Sequence, residues 1–246
     1  MKSFKVYSWS NFKQQVQIKC ILCRGLTTLA QPLCQLCLAT CPAPLCFCSC
    51  CGLPIQDSDT GICGQCLKQP PLFDRCLSPF LYQFPVNRIL QLVKYQSRLE
   101  LIKPMVVSLA EWLMDYYSDD HWPEIMLPVP LHRNRLRERG YDQTLLLTRA
   151  LKKLLCTGGL GIDLEIDQQL IKRTIHSVPQ QSLDAIARQK NIRNAFTLNR
   201  KPPWHHVALV DDVVTTGATV SEITKLLKNS GVQRVDIWSI ARTPET

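Results

Sequence analysis

VALVDDVVTTGAT, residues 207–219, runs from four apolar residues into two adjacent carboxylates, two further apolar residues and a Thr-Thr-Gly-Ala-Thr turn. A short apolar run bounded by turn residues is the pattern of a buried strand. Val220 to Asn229 follows with helical spacing and stops at Gly231, and Val235 to Ile240 is a second apolar run. Strand, loop, helix and strand within about 35 residues make a βαβ unit, so its strands are parallel and its crossover right-handed. The expected fold class is α/β.

The same thirteen residues point to a ligand. In open parallel sheets, ligands sit beyond the carboxyl ends of strands, where this strand presents Asp211 and Asp212. The loop that follows brings backbone N–H groups and the hydroxyls of Thr215, Thr216 and Thr219 to a helix N-terminus, which suits a phosphate monoester. Gly217 allows a positive φ or a close approach of the backbone to an anion, and Ala218 continues the loop. The neighbouring carboxylates repel phosphate but accept hydrogen bonds from a vicinal diol. Phosphate and diol together describe a ribose 5-phosphate. Neither G-x-x-x-x-G-K-[ST] nor G-x-G-x-x-G occurs, so the Walker and Rossmann phosphate loops are set aside.

Outward from this unit, Ile89, Leu90 and Val93 give Val86 to Tyr95 a helical spacing. Pro104 suits the first turn of a second helix whose stripe is Val106, Val107, Ala110, Leu113 and Met114. Ile125 to Leu131 reads as a short strand, with Pro128 and Pro130 arguing against full pairing at the sheet centre. Asp142 is a candidate cap for a helix carrying Leu145, Leu146, Ala150, Leu151 and Leu154. Asp184 to Asn194 is a polar helix candidate. Between strand and capped helix, Arg133, Arg135, Arg137 and Arg139 alternate, opposed only by Glu138. As a strand they share a face, and as a loop they converge on an anion such as pyrophosphate or a nucleic-acid backbone.

The chain has 246 residues, 46% hydrophobic and 20% charged, with a net charge of +9, which fits a globular protein with anionic partners. Of its 13 cysteines, all but Cys156 precede residue 77. Neither a signal peptide nor a membrane-spanning run is visible, so membrane insertion is not expected. A reducing cytoplasm makes clustered cysteines metal ligands rather than disulfides. Four Cys-x-x-Cys pairs, Cys20/Cys23, Cys34/Cys37, Cys48/Cys51 and Cys63/Cys66, start 14 or 15 residues apart. Two such pairs close a four-sulfur tetrahedral site, so eight ligands imply two structural Zn²⁺ ions, with an iron–sulfur cluster as the weaker alternative. The spacing does not say which pairs combine. Residues 1–19 read as a polar extension, 20–76 as the zinc-binding domain, and 77–246 as the α/β domain.

VALVDDVVTTGAT resembles the 5-phosphoribosyl-1-pyrophosphate (PRPP) motif of type I phosphoribosyltransferases. PVPLHRNRLRERGYDQ (Pro128 to Gln143) and RQKNIRNAF (Arg188 to Phe196) resemble the ComF/GntX family of competence-associated proteins, whose zinc-finger N-terminus the cysteine pairs match. The resemblance spans about residues 20 to 243. Asp142 stands where Asn is usual, and Arg133-Asn134 where Pro-Arg is common. The resemblance implies a type I phosphoribosyltransferase-like sheet in a cytoplasmic protein of natural transformation and DNA uptake. It implies PRPP held by Asp211, Asp212 and Thr215 to Thr219, with Asp211 and Asp212 as catalytic acids. Arg135, Arg139 and Gln143 keep the family pattern and, with Lys94, are the candidates for pyrophosphate or nucleic-acid contacts. Arg173, Gln181, Arg188 and Asn191 also match family positions. If the chain turns over, Mg²⁺ accompanies PRPP and pyrophosphate leaves ribose C1. The alternative is a non-catalytic module binding single-stranded DNA or partners in the competence machinery. The isolated aromatics Tyr82, Phe84 and Tyr141 are not assigned to the site.

Overall fold

The computed structural model describes residues 16–28, 31–56, 60–118, 120–157, 162–174 and 194–244. In chain order the cysteine-rich part holds β1 (Gln17–Lys19), β2 (Leu26–Thr28), α1 (Gln35–Ala39) and α2 (Gly64–Lys68). Next come β3 (Arg75–Leu77), β4 (Phe80–Leu81), α3 (Val86–Gln96), α4 (Ile102–Tyr116), β5 (Ile125–Pro128), α5 (Arg133–Arg139), α6 (Gln143–Thr157) and β6 (Glu165–Ile166). The chain continues through β7 (Ile171–Arg173), β8 (Phe196–Leu198), β9 (His206–Val214), α7 (Ala218–Asn229) and β10 (Arg234–Arg242).

The main sheet runs β3-β10-β9-β5-β6, with β4 also pairing β10, and every pairing in it is parallel. β1 with β2, and β7 with β8, form separate antiparallel ribbons. β3 takes Arg75 and Cys76 from the cysteine-rich stretch into the sheet, so the strand crosses the expected 76/77 junction. Gln17–Lys19, expected within a polar extension, is paired with β2. The polar helix expected from Asp184 lies outside the described residues except for Asn194, as do Gln181, Arg188 and Asn191.

Strand alternation sorts the core into two layers. Ala208 and Val210 of β9, with Trp238 and Ile240 of β10, meet α3, α4 and α6 through Leu90, Val93, Leu109, Leu113, Leu151 and Leu155. Val207, Leu209 and Ile237 face the other way, against Ile223 and Leu227 of α7 and Phe196 of β8. Burying each such leucine contributes about 2 kcal/mol. The second layer also contains Cys48, Cys51, Cys66 and Phe73, so the cysteine-rich part shares the core of the sheet.

The two ends of the sheet differ. Where β9 and β10 begin, buried Asp236 accepts from Tyr117 Oη at 2.6 Å and pairs with Arg234 at 2.8 Å, and Arg234 also reaches Asp120 at 2.9 Å. That end is sealed by paired charges. The carboxyl end is open. Among the described residues, no helix is long and apolar enough to cross a membrane.

Candidate functional site

β5 stops pairing with β9 at Pro128 opposite Val210, and Val129 N donates to the Val210 carbonyl at 2.9 Å as the chain turns away. Pro128 is tolerated because it ends the strand, beyond the last residue paired with β6. β9 continues without β5, paired with β10 as far as Val214 opposite Arg242. A cleft of about 670 Å³ opens between the diverging strands. Asp211 and Asp212 therefore lie within a longer strand than the apolar run Val207–Val210 suggested, where one neighbour has already left.

The carboxylates see different surroundings, because the pleat sends adjacent side chains to opposite faces. Asp212, with Ala208 and Val210, faces the α3 layer and forms an ion pair with Lys94 at 2.8 Å. Burial pulls Lys94 toward its neutral form, but the Asp212 carboxylate outweighs it and the net shift is upward. The Asp211 Oδ1 atom accepts from Asp212 N at 2.8 Å. Burial, then the Asp212 charge, pushes Asp211 up to about 7, against the opposing pull of that N–H, Lys94 and Arg173. Both carboxylates and Lys94 line the cleft.

Gly217 occupies the N-cap of α7 at φ 77°, a left-handed conformation that favours glycine. Gly217 has no side chain with which to cap this twelve-residue helix, so the Thr219 and Val220 N–H groups of its first turn are left to an anion. Thr215, Gly217, Ala218 and Thr219 line the cleft. Thr216 is exposed, and its hydroxyl accepts from Ala218 N at 3.4 Å, bracing the loop from outside the lining.

The arginine-rich segment is helix α5 rather than the expected strand or loop. His132 Nδ1 caps it by accepting from Asn134 N at 3.1 Å, and Gly140 at φ 77° ends it. Residues four apart share a helix face, so Arg135 and Arg139 line the cleft while Arg133 and Arg137 are exposed. Arg139 donates to Gln143 Oε1 at 2.9 Å and stacks its guanidinium 5.4 Å from the centre of the Tyr95 ring. Asp142 caps α6 as expected, accepting from Leu145 N at 3.0 Å.

The cysteine pairs combine in order. Cys20, Cys23, Cys34 and Cys37 form one tetrad and Cys48, Cys51, Cys63 and Cys66 a second, each with all sulfurs within 4.8 Å of one another. Sγ of Cys23 and Cys34 are 3.7 Å apart, as are those of Cys51 and Cys63. A tetrahedral ion with metal–sulfur bonds of about 2.3 Å requires edges of about 3.8 Å, so the donors fit. Backbone N–H groups point at the sulfurs, Cys34 N to Cys20 at 3.4 Å and Cys63 N to Cys48 at 3.3 Å, as thiolate ligands require. Cys41, Cys46, Cys50 and Cys76 belong to neither tetrad.

The model of the phosphoribosyl transferase domain matches residues 160–246. Competence protein F of Haemophilus influenzae is 34% identical over 233 residues, covering 91% of this chain and 96% of that protein. The DNA utilization protein YhgH of Escherichia coli K12 is 32% identical over 234 residues, with the same coverage of both chains. This chain belongs to the ComF/GntX family. Competence protein ComFC of Bacillus subtilis 168 is more distant, 24% identical over 191 residues and covering 75% of this chain and 72% of that protein. In this ComF-family chain the cleft is also lined by Arg173, Tyr82, Tyr95 and Tyr141. As isolated aromatics, Tyr82 and Tyr141 carry no signal in the sequence, and for Tyr95 the one pointer is that it follows Lys94 directly. The Tyr141 hydroxyl donates to the Val93 carbonyl, which anchors α3 to the segment leading into α6 of the ComF-family fold.

Proposed function

We propose that this cleft binds a 5-phosphoribose ligand of the PRPP class, and that the protein serves DNA uptake in natural transformation, as the names of its relatives suggest. The supporting observation is the convergence on one cleft of the glycine-led start of α7, two acids and the inner face of α5. Thr215, Gly217, Ala218 and Thr219 hold the 5-phosphate, with Thr216 bracing them. Asp211 and Asp212 accept from the ribose hydroxyls. Arg135 and Arg139 hold the pyrophosphate, with Gln143 orienting Arg139 and Lys94 holding Asp212 in place. The reaction is displacement of pyrophosphate from C1 by an acceptor nucleophile such as a nitrogen base, which forms the new bond to C1 as the C1–O bond breaks, with the two acids stabilising positive charge that develops on the ribose. Mg²⁺ bound with PRPP would supply neutralisation of the pyrophosphate charge, beside Arg135 and Arg139. Both tetrads hold structural zinc.

The test is pyrophosphate release from labelled PRPP with Mg²⁺ and candidate bases, paired with calorimetry on the zinc-loaded protein. Release that Asp211→Ala abolishes supports the transferase. Absence of binding to any phosphoribose ends the proposal. A second reading, a non-catalytic binder of single-stranded DNA or competence partners, is favoured by the exposed Arg133 and Arg137 of α5 and by the exposed Tyr95 ring, which stacks on Arg139 of the same helix. Salt-sensitive retention of single-stranded DNA without pyrophosphate release selects it.

A further inference from the structure

Arg242 closes β10 and is buried, with Nε donating to the Cys51 carbonyl at 2.9 Å. Its Nη1 donates to the carbonyls of Val214 at 3.2 Å and Thr243 at 3.1 Å, and to that of Thr215. One guanidinium thus joins the backbone of a second-tetrad ligand to the residues that lead into the phosphate loop.

Three more contacts follow the same seam. A Cβ added at Gly52, next to Cys51, would come within 2.5 Å of the Cys76 carbonyl of β3, so the knuckle rests on the sheet backbone. A Cβ added at Gly217 would lie 3.6 Å from the Phe73 ring, which supports the loop from below. Cys48, Cys51, Cys66 and Phe73 share one buried cluster with Val214 and Val220, the residues on either side of the loop. Cys20 of the first tetrad belongs to the opposite layer. A loaded tetrathiolate carries a net charge of about −2, which the Arg242 cation opposes from a fixed position.

We propose that Arg242 is a positioning residue coupling the metal in the second tetrad to the shape of the Thr215–Thr219 loop, so that metal and 5-phosphoribose ligand stabilise each other. The first tetrad stands outside this coupling. The inference rests on the reading of the cleft given above. Linkage makes it reciprocal: a ligand that favours the ordered loop retains the metal, and loss of the metal weakens the ligand.

Zinc release from the full chain to a chromogenic chelator, with and without saturating ribose 5-phosphate, tests the coupling. Cys23→Ser and Cys63→Ser assign the release phases to the two tetrads. Ribose 5-phosphate is expected to slow the second-tetrad phase about tenfold and to leave the first unchanged. Arg242→Gln is expected to retain two zinc ions, to release the second faster even without ligand, and to bind ribose 5-phosphate about tenfold more weakly in calorimetry. Arg242→Lys, which keeps the charge but loses the fork, falls between. Protection of both phases, or of neither, in wild-type protein that binds the ligand overturns the coupling without requiring any variant to fold. Wild-type protein that binds no ribose 5-phosphate sinks the reading of the cleft instead. The ligand-free release rate then decides the tie alone, and equal rates in Arg242→Gln and wild type overturn it.

Discussion

Asp211 and Asp212 are neighbours with different fates. Lys94 pairs with Asp212, whereas burial and the Asp212 charge raise Asp211. Below pH ~3 Asp211 is largely protonated in folded and unfolded chains alike, and it has little effect on stability. As the pH rises toward about 7 the unfolded chain releases a proton that the folded chain retains, so stability falls, and above that range the penalty is complete. Asp211→Asn keeps the acceptor for Asp212 N and removes the charge. It is expected to raise unfolding free energy at pH 8 by on the order of 1–3 kcal/mol, with little gain near pH ~3, measured by urea titration. Gly217 works through the backbone. Its φ of 77° is strained for any other residue, while the Phe73 ring leaves ordinary van der Waals space for a methyl group. Gly217→Ala is expected to cost about 1–2 kcal/mol from backbone strain and to weaken phosphate binding. The motif announced both acids and this glycine because their chemistry is local. The Lys94–Asp212 pair was not legible, since it depends on how α3 packs over β9.

At the level of elements, α5 shows how a charge run is sorted. Read along the chain, four alternating arginines suggest a strand face or a convergent loop. The helix between His132 and Gly140 divides them instead, two into the cleft and two into solvent. The caps were present in the sequence, but a seven-residue helix with no buried residue lacks the apolar stripe that announces longer helices. Arg135→Ala and Arg139→Ala are each expected to weaken PRPP binding about tenfold or more while changing ribose 5-phosphate binding little, because the smaller ligand has no pyrophosphate. Arg137→Ala, on the outer face, is expected to leave both unchanged in calorimetry. β9 and α7 were readable because apolar period and turn chemistry agree there. The full length of β9 was not, since Asp211 and Asp212 interrupt its hydropathy while the hydrogen-bond ladder to β10 continues.

For the whole molecule, the cysteine-rich part and the sheet are one packed body. The near-regular spacing of the pairs pointed to two four-sulfur sites, but not to the order of pairing, which depends on sulfurs meeting in space. Nor did composition reveal that Cys48, Cys51 and Cys66 lie in the same core layer as Leu209 and Ile237, because cysteines rich in ligand spacing read as a separate module. With metal loaded into both tetrads, its removal is therefore expected to lower the melting temperature of the sheet itself, followed by circular dichroism, rather than to unravel the N-terminal part alone.

The knuckle at Gly52 has a further consequence. It sits against the Cys76 carbonyl, on β3, the last strand on that side of the sheet. Outermost strands invite backbone pairing between molecules unless something covers them. Here the chain around Gly52, next to Cys51 of the second tetrad, lies against that strand, so a metal held in the tetrad would fix the cover in place. Light scattering after chelation should show self-association that restored metal reverses, and β3 would be the surface along which molecules meet.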